Sequence, residues 1–355
     1  MIPSAEALAE AEAVLLAFQA ALVRLGIKSI VAIMKSWRRM PANKAVEQSD
    51  EWLNGAVDLV MTDRARSREL AVAFYRLSRA LRTGTTIPDP YDPIPRAVTL
   101  GQLRREFDLL TKSIDKPSET PATGTTDGPP TSDTPDDYKP SEGDDTAIPI
   151  EEIDGFTDEG DTDADQLESE AEKEARIVLE ALGPKSLKRR VDEIDHQRPA
   201  TEVDQLRDEA HAKAGARTAS AADRIVKNGA RDTVTSLAER DKRVLGYVRV
   251  SKTGTPCGFC AMLISRGVIF YKSASSAELS EGRQYHDNCN CIAVPVYSMS
   301  QYENDPAFAL NREYSDLWPK VTKGLSGKKA LSAWRRYFRI MQKNGDSDTG
   351  TALAA

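Results

Sequence analysis

Cysteine and histidine are almost missing from this sequence, with four of the first and three of the second in 355 residues. A chain this long with so few cysteines is not a disulfide-stapled scaffold. Long apolar runs are missing too. The most apolar stretch, AVLLAFQAALVRLGIKSIVAIM, is broken by Gln19, Arg24 and Lys28, short of the ~20 uninterrupted apolar residues of a membrane span. No Lys or Arg precedes it as in a secretion signal; Glu6, Glu10 and Glu12 stand there instead. These absences set the expectation of a protein folded in a reducing cytosol, with no membrane partner. Neither GxSxG nor HExxH occurs, so a serine-hydrolase elbow and a zinc-helix peptidase are unsupported.

Charge is unevenly spread. The chain carries −7 overall, but residues 113–165 hold 17 Asp and Glu against Lys116 and Lys139, which leaves +8 on the rest. A basic body joined to an acidic tether can meet a polyanion such as packaged DNA, or an acidic protein face. The same segment has seven prolines and only five residues among Val, Ile, Leu and Phe, too few to offset the entropy of ordering it. It reads as a long disordered acidic linker. The alternative is a short docking element around Ile148, Ile150, Ile153 and Phe156.

Elsewhere the pattern is mostly helical. Leu8, Leu15, Phe18, Leu22 and Leu25 share a face of a helix that Ser4 caps and Pro41 stops. Further helices fit 44–81, 96–112, 166–182 and 201–242. From residue 244 the texture changes: VLGYVRVS, GVIFYKS and CIAVPVY are short, β-branched and aromatic, like strands of a small sheet. Helix resumes past Pro306. In its last stretch Leu331, Trp334, Phe338 and Met341 form an apolar stripe opposite Arg335, Arg336, Arg339 and Lys343. The fold class expected is mainly α with a small α+β zinc-clipped module. The chain divides into an N-terminal helical domain (1–112), the linker (113–165), a helical region (166–243), the small Cys/His module (244–300) and C-terminal helices (301–345).

All four cysteines lie in that module, in the pattern C-x2-C-x25-H-x2-C-x-C formed by Cys257, Cys260, His286, Cys289 and Cys291. Two sulfurs three residues apart in a tight turn can point at one ion, with Gly258 letting the chain fold beneath it. If Cys291 opens a strand, Cys289 lies on the same side of the extended chain. Thiolate and imidazole donors fit zinc best, and one of the five is spare in a tetrahedral site. Cys289 is the expected spare, because Cys291 is anchored by its strand. Four protein ligands leave no open position, which points to a structural ion. Free buried thiols, a disulfide and a reactive Cys–His pair are the other uses of the same atoms. Pro256-Cys257-Gly258-Phe259-Cys260 matches half of the zinc-deaminase signature, but that signature needs H-x-E upstream, and the nearest upstream histidine is in His211-Ala212-Lys213. His196 and His211 sit in charged helical stretches and read as exposed polar residues.

Over 247–297 the CxxC knuckle, the HxxCxC closure and the strand CIAVPVY resemble the Mu F-type head morphogenesis proteins of tailed bacteriophages. CGFCAMLISRGVIFYKS and YHDNCNCIAVPVY are similar to the versions in phages of actinobacteria, which are labelled minor capsid protein or capsid maturation protease. The resemblance implies a protein of the phage head, acting near the portal protein and the major capsid protein or scaffold during procapsid assembly. It would be found in the host cytoplasm during assembly and then in the virion head. The protease label comes with no independent nucleophile–base pair in this chain. A third possibility is a zinc module that binds nucleic acid, for which only Arg266, Tyr271, Lys272 and Arg283 lie beside the metal motif.

The linker reading is open to a simple check. Added protease should cut first within 113–165 and leave two protected fragments; slow amide exchange across that whole segment would contradict it.

Overall fold

The computed structural model describes residues 3–45, 47–89, 97–115, 143–153, 162–195, 197–252, 256–270 and 285–352. Helix α1 (Ala5–Arg39) starts where the Ser4 hydroxyl accepts the Ala7 amide at 3.1 Å, and it ends at Met40, just before Pro41. Helix α2 (Ser49–Thr83) ends on Gly84, whose φ of 73° is left-handed, a conformation glycine adopts without a Cβ penalty. Both lie against the longest helix, α6 (Ala200–Arg240). The face of α6 that meets them is built of small residues: Ala214, Gly215, Ala219, Ala222, Gly229 and Ala230 are all buried. That is what lets three long helices approach closely. A Cβ on Gly229 would stand 2.5 Å from the Ser67 hydroxyl, and Gly26 of α1 rests directly against Asp223 of α6. Larger side chains from α1 and α2 fill the space between, among them Phe18 and Phe74, whose rings stack at 4.1 Å. Helices α4 (Thr162–Leu182) and α5 (Pro184–Asp192) flank α6.

By length and composition α1 is apolar enough to cross a membrane, but half of its most apolar window is buried inside the protein. The polar residues that interrupt it are used there. Gln19 donates to the Val250 carbonyl at 3.1 Å and accepts from the Lys252 amide at 2.6 Å, while Ser29 donates to Asp63 at 2.6 Å.

The small sheet has β3 (Gly246–Val250) at its centre, antiparallel to β4 (Ile269–Phe270) on one side and to β5 (Ile292–Val296) on the other. Pro295 is tolerated because β5 is an edge strand, where a missing N–H breaks no second ladder. Every residue of β3 and β5 is buried. One side of the sheet is covered by the long helices. The other carries α7 (Gly258–Ile264) and α9 (Ala309–Val321), the latter reached through α8 (Met299–Asn304) and a 3-10 turn at Pro306–Phe308. Helix α10 (Gly327–Ala352) closes over α7. Val248, Val250, Ile292, Val294 and Val296 belong to the same apolar core as Phe18, Leu70 and Val226. The boundaries drawn at 112, 165, 243 and 300 therefore do not separate independent cores. A three-stranded sheet with both faces apolar cannot stand alone, and α1 and α6 supply the covering.

The acidic linker expected over 113–165 needs correction where it is described, above all at 143–153. After α3 (Leu100–Ser113), residues 143–153 return to the body. There β2 (Ala147–Pro149) pairs antiparallel with β1 (Ala97–Thr99), and Ile150 bridges to Thr86. Ile148 and Ile153 are buried. This is the docking element around Ile148, Ile150 and Ile153; Phe156, with 116–142 and 154–161, lies outside the described residues. Among the described residues, acidic groups of the segment pair with the basic body: Asp115 with Arg24, Asp144 with Arg104, and Glu151 with both Arg79 and Arg243.

Glu151 sits at the edge of a buried polar knot. The Arg79 guanidinium, 1% exposed, donates to Asp241, also 1% exposed, at 2.7 Å, and Tyr75 donates to the same carboxylate at 3.0 Å. Replacing Arg79 with Met leaves Asp241 buried without its cation. This should cost ~3–5 kcal/mol, measurable by denaturant unfolding. Hydrogen bonds from Arg243, then from Arg79, hold the Glu151 carboxyl at about 2, against its partial burial. Its folded value lies below the ordinary one near 4.5, so the stability it contributes is complete above that pH and lost as pH falls toward 2. Glu151→Gln should flatten the stability profile in that window and leave neutral-pH acid dependence unchanged.

Candidate metal centre

The CxxC knuckle begins α7. Cys257 is its N-cap, and the sulfur accepts the Cys260 amide at 3.4 Å, as a serine or aspartate would at this position. Helical geometry turns Cys260 inward, where it is 1% exposed, while Cys257 stays half-buried. Gly258 does not need an unusual φ. A Cβ there would lie 3.4 Å from the Cα of Arg335, so glycine leaves room for α10 to pass over the knuckle.

The second half comes from the loop ahead of β5. Asn288, in the left-handed region at φ 63°, reverses the chain so that the Cys289 amide donates to the His286 carbonyl at 3.2 Å. His286 Nδ1 lies 2.7 Å from the Asp287 carbonyl, which can only accept, so Nδ1 carries a proton. Its Nε2 faces the sulfurs, 3.0 Å from Cys257 and 3.7 Å from Cys260. A ring whose far N–H is held by a carbonyl is the usual posture of a metal-ligating histidine. Cys289 is 3.5 Å from Cys260, sulfur to sulfur.

The donor atoms form two overlapping groups, Cys257–Cys260–His286 and Cys260–Cys289–Cys291, each within 4.8 Å. Cys260 belongs to both. A tetrahedral ion with bonds of ~2.3 Å to sulfur and ~2.0 Å to nitrogen sets sulfurs about 3.8 Å apart and sulfur to nitrogen about 3.6 Å. The spacings here are near those values, so the groups could hold a metal ion. Cys289, expected to be spare, stands in direct contact with Cys260.

Protons are shared unequally among these groups. The Cys260 hydrogen bond, helped by the Cys260 amide and His286, brings the Cys257 thiol down to about 5 despite burial. The same pairing raises Cys260. Cys260 and Cys291 lower Cys289, with Arg231 adding to the effect. Cys260 acts to lower Cys291 as well, but Cys289 and burial push it up to about 12. For His286 burial opposes the charge, yet the Asp287 carbonyl, Cys289 and Cys257 raise its pKa. Two of the four sulfurs, Cys257 and Cys289, are thus favoured as thiolates, while Cys260 and Cys291 hold their protons.

Residues that sequence reading missed hold the second half in place. Arg224, Lys227 and Arg231 recur at i, i+3 and i+7, and all three reach the 286–291 loop from one face of α6. Arg224 pairs with Asp287 at 2.9 Å, and Lys227 donates to Asn290 at 2.9 Å. Arg231, 2% exposed, donates to the carbonyls of both Cys289 and Cys291. The guanidiniums of Arg231 and Arg249 also lie 3.9 and 4.0 Å from the centre of the Tyr285 ring. The signal was present: cations at helical spacing on the apolar side of an alanine-rich helix imply buried partners. Two buried positive charges behind a sulfur cluster favour its ionised form. The other histidines stand elsewhere. His211 is half-buried rather than exposed, stacked on Trp37 at 5.1 Å, and His196 lies outside the described residues.

Residues 169–317, under half of the chain, match the model of the family described as VG15 protein. The matched stretch runs from within α4 to within α9 and includes all five cysteine and histidine candidates. It supports a phage-encoded protein. No curated protein and no solved structure gives a significant match.

Arg231 offers a test of this architecture. With Co2+ as probe, followed by its thiolate absorption, Arg231→Met should weaken binding ~10–100-fold, the usual cost of losing an outer-shell partner of a metal site. Unchanged affinity would mean that Arg231 serves only the fold.

Proposed function

We propose that this chain is a head morphogenesis or minor capsid protein of a tailed phage, of Mu F type, with one structural zinc ion. It would act in procapsid assembly near the portal protein and the major capsid protein or scaffold, in the host cytoplasm first and the virion head later. The observation that carries the reading is the meeting of CxxC and HxxCxC donors under α10, inside the segment with the viral family match. The ligands would be Cys257, Cys260, His286 and one of Cys289 and Cys291. Such an ion would supply cross-linking, not chemistry: it would tie α7 to the loop before β5.

The apolar surroundings support a structural role. Cys260, Cys289 and Cys291 share a small core with Tyr314, Trp334 and Phe338, so loss of the ion would loosen the seat of α9 and α10. Trp334 and Phe338 thus use the apolar stripe read in the last helix for packing within the chain.

One observation favours a rival, the capsid maturation protease. Cys257 and His286 are 3.0 Å apart, with the thiol near 5, the arrangement of an activated cysteine. A sulfur bound to zinc is not free to attack a carbonyl, so the two roles compete for one atom.

Elemental analysis of protein purified under reducing conditions should give about one zinc per chain, and removal by a strong chelator should unfold the region around α7 and β5, since structural zinc contributes ~10–16 kcal/mol at neutral pH. A fold indifferent to chelation would sink the zinc reading. Cys257→Ser and His286→Ala, co-expressed with the major capsid protein and scaffold, should each misfold or fail to join the procapsid. A variant that folds, enters the procapsid and specifically abolishes cleavage would instead establish the protease.

A further inference from the structure

The outer side of α1 carries an apolar ridge that the described chain leaves partly open: Leu16, Ile27 and Val31 are exposed, while Ile30 and Met34 at its edge also pack against the core. Ala13, Leu16, Ala20, Val23, Ile27, Ile30 and Met34 recur at alternating steps of three and four, with Val31 beside them. Leu16, Ile27 and Val31 are 48%, 55% and 60% exposed, on a helix otherwise bound into the core. No charge falls within the ridge over 22 residues, a length of about 32 Å along the axis. The alternation is that of a seam between two helices.

Undescribed segments of this chain are poor candidates to cover it. Residues 116–142 contain no Val, Ile, Leu, Phe, Met or Trp, and 154–161 and 271–284 have one such residue each. The ridge itself is self-complementary. If two copies of α1 run antiparallel about an axis between Val23 and Arg24, Ala13 meets Met34, Leu16 meets Val31 and Ala20 meets Ile27. Ala13 and Ala20 thus face the larger Met34 and Ile27, and Leu16 faces the smaller Val31, so each of these contacts pairs a smaller with a larger side chain. Parallel pairing would set Ala against Ala and Ile against Ile. Charge agrees: Glu6, Glu10 and Glu12 flank the beginning of the helix, Lys35, Arg38 and Arg39 its end. Glu10 and Glu12 have partners within the chain, Arg104 and Lys252, while Glu6 is exposed and, among the described residues, tied to no cation within 4 Å. Antiparallel pairing brings acidic ends beside basic ones and opposes the helix dipoles.

We infer that the outer face of α1 is a dimerisation surface, on which a second copy of this chain packs its own α1 antiparallel about a two-fold axis. Such a contact is isologous, so it closes on itself and leaves no open site for further growth.

Sedimentation of the full-length protein at micromolar concentration tests this. Wild type should be a dimer. Ile27→Glu and Val31→Glu, both at exposed positions, should each raise the dissociation constant more than about 30-fold while leaving circular dichroism unchanged, and thermal unfolding should lose the concentration dependence that the dimer gives it. Orientation is read by cross-linking. Ala13→Cys mixed with Met34→Cys should form a mapped 13–34 disulfide, whereas Ala13→Cys alone should not link to itself, because the two positions 13 would stand about 30 Å apart. A monomeric wild type, a dimer indifferent to both glutamates, or a 13–13 disulfide would overturn the proposal. So would a monomer that binds phosphatidylcholine–phosphatidylglycerol vesicles and loses that binding on Ile27→Glu, which would assign the ridge to a membrane surface.

Discussion

The close approach of α6 to α1 and α2 is the constraint on which the other parts depend. It follows from side-chain size. A helix lined with Ala214, Ala219, Ala222 and Ala230, and with glycine at 215 and 229, gains little from its own burial but lets its neighbours bring Phe18, Trp37, Leu70 and Phe74 into one core. The strands β3 and β5 complete that core from the other side. A chain whose aromatic content is only 6% can therefore still close a large interior, with Phe18, Trp37, Phe74 and Tyr75 buried where the long helices meet.

That same closeness fixes where charge can go. Arginines on α2 are carried into the interior, and each is met by an acid from far along the sequence: Arg64 by Asp232 and Glu168, Arg79 by Asp241, Arg82 by Asp305. Pairs of this kind gain little over apolar packing when intact and are costly when broken. They tie α4, α6 and the 3-10 turn to one helix. The acidic segment takes part through Asp144 and Glu151, so some of the charge imbalance between body and tether is neutralised within the chain itself.

The cysteine cluster lies at the end of this chain of dependence. Its inner members are set by α7 and β5, its outer member His286 by a turn through Asn288, and the loop that joins them is held by three cations from α6. A bundle displaced along α6 by one turn would move Arg231 away from the carbonyls it serves. Site and bundle are in this sense one structure, although they look separate along the sequence.

Much of this was legible from residues alone, where the cause is local. Ser4 and Pro41 bound α1 because a cap and a missing N–H act within one turn. The three strands of the larger sheet announced themselves by β-branched runs, and the short spacings Cys257-x2-Cys260 and His286-x2-Cys289-x-Cys291 marked each half of the cluster as a ligand-type pattern. What tertiary structure alone decided depends on partners distant in sequence. Ile148 and Ile153 look too few to order an acidic segment until β1 offers them a backbone edge. The sheet looks like a small module until α1 and α6 cover it. Arg231 looks like one more surface cation until the carbonyls of Cys289 and Cys291, about sixty residues away, meet it in a space that excludes water. Local rules fix which residues can form a helix, a strand or a knuckle; burial, which is a property of the whole fold, fixes which of their polar groups must find one another.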